Sequence, residues 1–170
     1  MITEPQLETR EPQHYVAIRA QVTQPEIGAV LPPLWPEVFG WLGANGLAPA
    51  GAPFIRYVEF DRSGTMDVEV GVPLGAQIPE PVEGNQRIVP GVLHAGVYAT
   101  LTHTGPYSEL MSANKALQDW AAARGIQWRY TGDAAHSVWA GRLESYLTDP
   151  AKEPDPAKWI TVVSYLTKAH

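Results

Sequence analysis

The stretch GVYATLTHTGPYSELMSANKALQDWAAARG, residues 96–125, sets the pattern for the whole chain. Residues 96–104 are rich in β-branched and aromatic side chains, as a strand requires. Over 105–125, Leu110, Ala113, Leu117, Trp120 and Ala121 fall on one side of a helix, and Gly125 stands where that helix would stop. Downstream, 137–149 reads as a strand, DPAKEPDPAK at 149–158 as a proline-punctuated loop, and WITVVSYLT at 159–167 as a last strand.

The same order runs upstream. HYVAIRAQV at 14–22 reads as a strand, and 31–46 as a helix entered through prolines, with Leu34, Val38, Trp41 and Leu42 at helical spacing and Gly46 as its stop. Residues 53–61 and 65–74 are two strands joined by a turn at Arg62-Ser63-Gly64. Each half reads strand, helix, strand, strand. Letters repeat with the order: Trp41 and Gly46 have the separation of Trp120 and Gly125, and RYVEFD mirrors RLESYL, which sets Glu59 against Glu144. The expected fold is therefore α+β, a tandem pseudo-symmetric pair of β-α-β-β modules with an antiparallel sheet, to which the resemblance given below adds a central ligand groove. It forms a single domain over 1–170, with half-repeats at about 1–75 and 91–170 and a Pro- and Gly-rich connector at about 76–90.

Composition narrows the function. With 170 residues the chain can bury a core without disulfides, and with no cysteine it has neither a thiolate nucleophile nor a Cys-based zinc site. A net charge of -6 argues against binding to phosphate backbones and leaves room for a cationic small molecule. No window approaches a membrane-spanning length, and the acidic N-terminus is no signal peptide, so a cytoplasmic protein that contacts neither nucleic acid nor membrane is expected.

Alternation along the strands sorts the chemistry. On 137–149, Ala140, Arg142, Glu144 and Tyr146 share one face and Trp139, Gly141, Leu143, Ser145 and Leu147 the other. On 53–61, Tyr57 and Glu59 share a face with Ile55. Each half thus offers a carboxylate beside a tyrosine. One reading is a sheet with one face in water. The other is a groove whose floor holds an acid, costly to bury unless paired, with rings to stack a flat cation. Trp35 and Tyr107 lie at the two helix starts, where they can roof such a groove, and Met111 follows Tyr107 by one turn.

Catalytic and cofactor signals are weak. The five histidines show no metal-ligand spacing, Ser108 lacks a nucleophile elbow, and HTGPYSEL has neither the glycines nor the lysine of a phosphate loop; no cofactor and no metal are expected.

YATLTHTGPYSELMSANKALQDW at 98–120, RLESYLTDP at 142–150 and the closing WITVVSYLT together resemble the GyrI-like small-molecule-binding family, also found as the effector-binding domain of multidrug-sensing bacterial transcription activators. The resemblance implies paired modules around a groove that takes lipophilic, often cationic, aromatic compounds. The glutamate of its Glu-x-Tyr motif would be Glu144, with Tyr146 on the same wall. Because residue 15 already starts the first strand, a stand-alone binding or sequestering role without a DNA-binding domain is expected. Two alternatives accompany it: hydrolysis of cyclopropane-containing electrophiles by groove glutamates, with Glu144 catalytic and Glu59 its possible partner, and modulation of DNA gyrase through protein contact.

Overall fold

The computed structural model describes residues 1–78 and 87–168. In chain order its elements are β1 (Gln6–Arg10), β2 (Gln13–Val22), α1 (Ile27–Val30), α2 (Leu34–Ala44), β3 (Phe54–Phe60), β4 (Met66–Pro73), β5 (Ile88–Leu93), β6 (Gly96–Thr104), α3 (Leu110–Ala123), β7 (Tyr130–Gly132), β8 (Ser137–Trp139), β9 (Arg142–Tyr146) and β10 (Ile160–Leu166). The strands form one open, antiparallel sheet in the order β1-β6-β10-β9-β3-β4-β2-β5, with β8 pairing β3 and β7. The α+β class and the antiparallel sheet agree with the sequence reading.

Burial follows position in the sheet. In β2, Tyr15, Val16, Ala17 and Ile18 are consecutive and all buried, so both faces of this strand are covered. That continuous apolar run is what a doubly covered strand needs. Helix α2 packs Val38, Trp41 and Leu42 onto Val16, Ile18 and Val72. Helix α3 packs Leu110, Ala113 and Leu117 onto Ala99, Leu101 and Val163. Both helices thus cover sheet strands with the stripes read from their spacing, and the strands β3 and β9 meet where the two chain halves join.

The helix ends share one device. Gly46 and Gly125 take φ of +66° and +69°, a left-handed conformation that costs a side chain-bearing residue energy. The next residue then closes the last turn, with Leu47 N donating to Leu42 O at 2.9 Å and Ile126 N donating to Ala121 O at 3.0 Å.

Three details differ from the expectation. First, the N-terminal residues form strand β1, which pairs with β6, and Ile88–Leu93 at the end of the supposed connector forms β5, which pairs with β2. Residues 79–86 of the connector lie outside the described residues. Pro90 hid β5 from a reading by composition, yet proline is tolerated on an edge strand, where β5 sits. Second, β3 carries a bulge: Tyr57 pairs with Val68 but Glu59 with Asp67. One extra residue inverts the alternation, so Tyr57 and Glu59 lie on opposite faces and Phe60 takes the face of Tyr57. Third, the segment 137–149 is two strands rather than one. Glu59 and Phe60 pair with Val138 and Ser137 of β8, whereas Phe54–Arg56 pair with β9, a shift of register across Ala140 and Gly141. The break brings Trp139 to the same face as Arg142, whose guanidinium carbon lies 4.7 Å from the Trp139 ring centroid.

Candidate functional site

Glu144 sits in the middle of β9, opposite Ile55 of β3, and is only 6% exposed. Its carboxylate is held by three neutral donors. Tyr57 Oη donates to Oε1 at 2.9 Å, Tyr146 Oη donates to the same oxygen at 2.8 Å, and Asn114 Nδ2 donates to Oε2 at 2.8 Å. Tyr146 reaches it because residues two apart on a strand share a face, Tyr57 because β3 lies alongside. Asn114 comes down from the second turn of α3.

The amide of Asn114 is itself fixed. Its second Nδ2 hydrogen goes to Leu110 O at 2.8 Å, and its Oδ1 accepts from Tyr165 Oη at 2.7 Å. Gln118 Nε2 donates to Tyr165 Oη at 2.9 Å. A chain of hydrogen bonds therefore runs from Gln118 through Tyr165 and Asn114 to Glu144, and each link orients the next.

Burial, and then the charge of Glu144, hold the Tyr57 and Tyr146 phenols well above the ordinary phenol range. Both remain donors across neutral pH. Burial likewise raises Tyr165, against the lowering influence of Arg142.

Aromatic rings gather around Tyr146, one of the donors to this anion. Trp35 and Tyr107, at the starts of α2 and of the turn leading into α3, both meet Tyr146 edge-on, with centroids 5.4 Å and 5.5 Å away. Trp159 packs on Tyr107 at 4.6 Å. The indole Nε1 of Trp35 is buried without a hydrogen-bond partner. Such an orphan donor is uncommon in a settled core.

The contrast with the second buried carboxylate is informative. Glu69, also 6% exposed, has the Arg56 guanidinium at 3.0 Å and Arg19 at 3.6 Å. None of the ion pairs among the described residues involves Glu144. A buried anion is ordinarily paired with a cation. Glu144 is instead surrounded by phenol and amide donors.

Of the residues singled out by sequence, the structure brings Glu144, Tyr146, Tyr57, Trp35 and Tyr107 into one cluster. Glu59 is not among them: the bulge sends it to the other face, where its Oε1 lies 3.3 Å from His136 Nε2. Met111 is 69% exposed on the outer side of α3. Sequence reasoning missed Asn114, Tyr165 and Trp159. Asn114 carried a signal, because a polar residue at 114 interrupts the apolar stripe of Leu110, Leu117 and Ala121.

Comparison with known proteins bears on the same chain. The family model of the GyrI-like small molecule binding domain matches residues 3–162. No curated protein matches the sequence. Among solved structures, the EcmrR C-terminal domain aligns over 98% of both chains with a TM-score of 0.75 and 22% identity. In the EcmrR–DNA complex the chain spans 58% of the EcmrR length. SAV2435 bound to tetraphenylphosphonium aligns over 98% of this chain and 95% of its own, with a TM-score of 0.61 and 14% identity. A hydrolase from Listeria innocua aligns over 97% of this chain and 92% of its own, with a TM-score of 0.60 and 13% identity. At these identities the structural matches establish the fold.

Proposed function

The chain belongs to the GyrI-like small molecule binding domain family, and on that premise we propose that it binds lipophilic aromatic cations, with Glu144 as their counter-ion. The observation that carries this reading is a buried carboxylate with three neutral donors and, among the described residues, no ion pair. A flat cation gains the charge of Glu144 and the faces of Trp35, Tyr107, Tyr146 and Tyr57. The SAV2435 structure, which holds tetraphenylphosphonium, is a fold relative with such a ligand. Trp35 and Tyr107 both pack on Tyr146, so the ligand enters by parting them, and the Trp35 indole N–H gives up no hydrogen bond when it moves.

The β-α-β-β halves fit the same proposal. The strand order places β3, β4 and β2 on one side of the β3–β9 junction and β9, β10 and β6 on the other, so corresponding strands lie at corresponding distances from it. We take the two halves to be duplicated modules, with the ligand between α2 and α3. Edge strands β1 and β5 then each complete the opposite half.

The hydrolase reading has less support. Glu59 was the possible second carboxylate, and Glu59 faces the other way. Titrating a cationic dye into wild type and Glu144→Gln tests the binding proposal: weaker dye binding by the variant supports it, equal affinity overturns it. Mass analysis after incubation with a cyclopropane-bearing electrophile tests the alternative, which a hydrated product lost in Glu144→Gln would favour.

A further inference from the structure

Beyond Glu144, on the same sheet face, a cavity of about 420 Å³ opens among Phe60, Gln118, Trp128, Tyr130, Trp139 and Arg142. That volume lies within the range of small-molecule pockets, roughly 300–1,000 Å³. Its chemistry is opposite to that of the Glu144 cluster. The Arg142 guanidinium stacks over Phe60, Trp139 and Tyr165 with centroid distances of 4.5, 4.7 and 4.8 Å. Its Nε is buried and has no hydrogen-bond partner. No ion pair among the described residues engages it. One acid, Asp133, also lines the cavity and its charge works against a bound anion, but its Oδ1 accepts from Ala135 N at 2.8 Å and His136 N at 3.0 Å, which ties the carboxylate to its own turn.

We propose that this cavity is a second subsite, specific for an aromatic ring bearing a carboxylate or sulfonate, with Arg142 as its anchor. An arginine enclosed by three rings has its donors held in place, and its planar guanidinium fork matches the two oxygens of a carboxylate. Tyr130, exposed and backed by Trp139 in a stack at 4.7 Å, offers aromatic surface to the ring that carries the anion. This subsite shares its sheet face with the cation site proposed above and deepens that reading. Arg142 and Glu144 are two residues apart on β9, so an amphoteric aromatic compound can address both.

The test uses calorimetric titration of the full chain with three probes: 2-naphthoate, its neutral analogue 2-naphthamide, and tetraphenylphosphonium. Wild type is expected to bind 2-naphthoate at least about ten-fold more tightly than 2-naphthamide, the scale of one charge-assisted hydrogen bond. In Arg142→Gln that preference disappears, while affinity for tetraphenylphosphonium is unchanged or higher, since a nearby cation has been removed. Equal binding of the acid and the amide by wild type overturns the proposal, and needs no variant to fold. A preference that survives in Arg142→Gln also overturns it. Absence of tetraphenylphosphonium binding by wild type would instead sink the cation reading of Glu144 and leave the naphthoate preference standing.

Discussion

Tyr57 and Glu144 stand 87 residues apart in sequence, and a 2.9 Å hydrogen bond joins them across the β3–β9 junction. This bond links the first half of the chain to the acid of the second. It exists because the bulge falls after Tyr57 rather than before it, which leaves the phenol on the face of Glu144 while sending Glu59 to the other.

Removing that phenol tests how the anion is held. Tyr57→Phe leaves a buried carboxylate one donor short and is expected to cost about 1–3 kcal/mol in urea unfolding. Tyr146→Phe should cost a similar amount. The double variant should depart from additivity by about 0.5 kcal/mol or more, because both phenols serve the same oxygen.

The two buried carboxylates should respond differently to neutralisation. Glu69→Gln leaves Arg56 buried without its anion and is expected to cost about 3–5 kcal/mol. Glu144→Gln orphans no cation and is expected to cost less than about 2 kcal/mol. Chemical denaturation of both variants gives the comparison, and equal losses would contradict it.

Alkaline pH should unfold the protein through its phenols. Tyr57 and Tyr146 have folded-state pKa values well above 10.0, the unfolded value. The folded state therefore holds protons that the unfolded state releases, and stability falls as pH rises through the unfolded value. Melting temperatures between about pH 8 and pH 11 should be flat at first and then decline near pH 10. The decline should be shallower in the variant with both tyrosines replaced by phenylalanine.

Much of this arrangement was legible in the sequence. The helices announced themselves through single apolar stripes, and their stops through Gly46 and Gly125, whose left-handed backbone the structure bears out. Glu144 and Tyr146 were legible because a two-residue spacing survives any strand of regular pleat. Illegible were events that break the period. The bulge in β3 and the register shift at Ala140 and Gly141 each depend on a partner strand far away in sequence, and together they moved Glu59 out and Trp139 in. The edge strands β1 and β5 were hidden for another reason. They are short, β1 is mostly exposed, and the backbone of β6 and β2 holds them rather than a pattern of their own. No helix among the described residues is long and apolar enough to cross a membrane, as the absence of a long apolar window indicated.

The most direct test of the central claim is calorimetric titration of tetraphenylphosphonium into wild type and Glu144→Gln at low and moderate salt. If Glu144 is a counter-ion waiting for a cation, wild type binds, the variant binds at least about ten-fold more weakly, and added salt narrows the gap only slightly because the pair is shielded from solvent. Equal affinities for the two proteins would contradict the account.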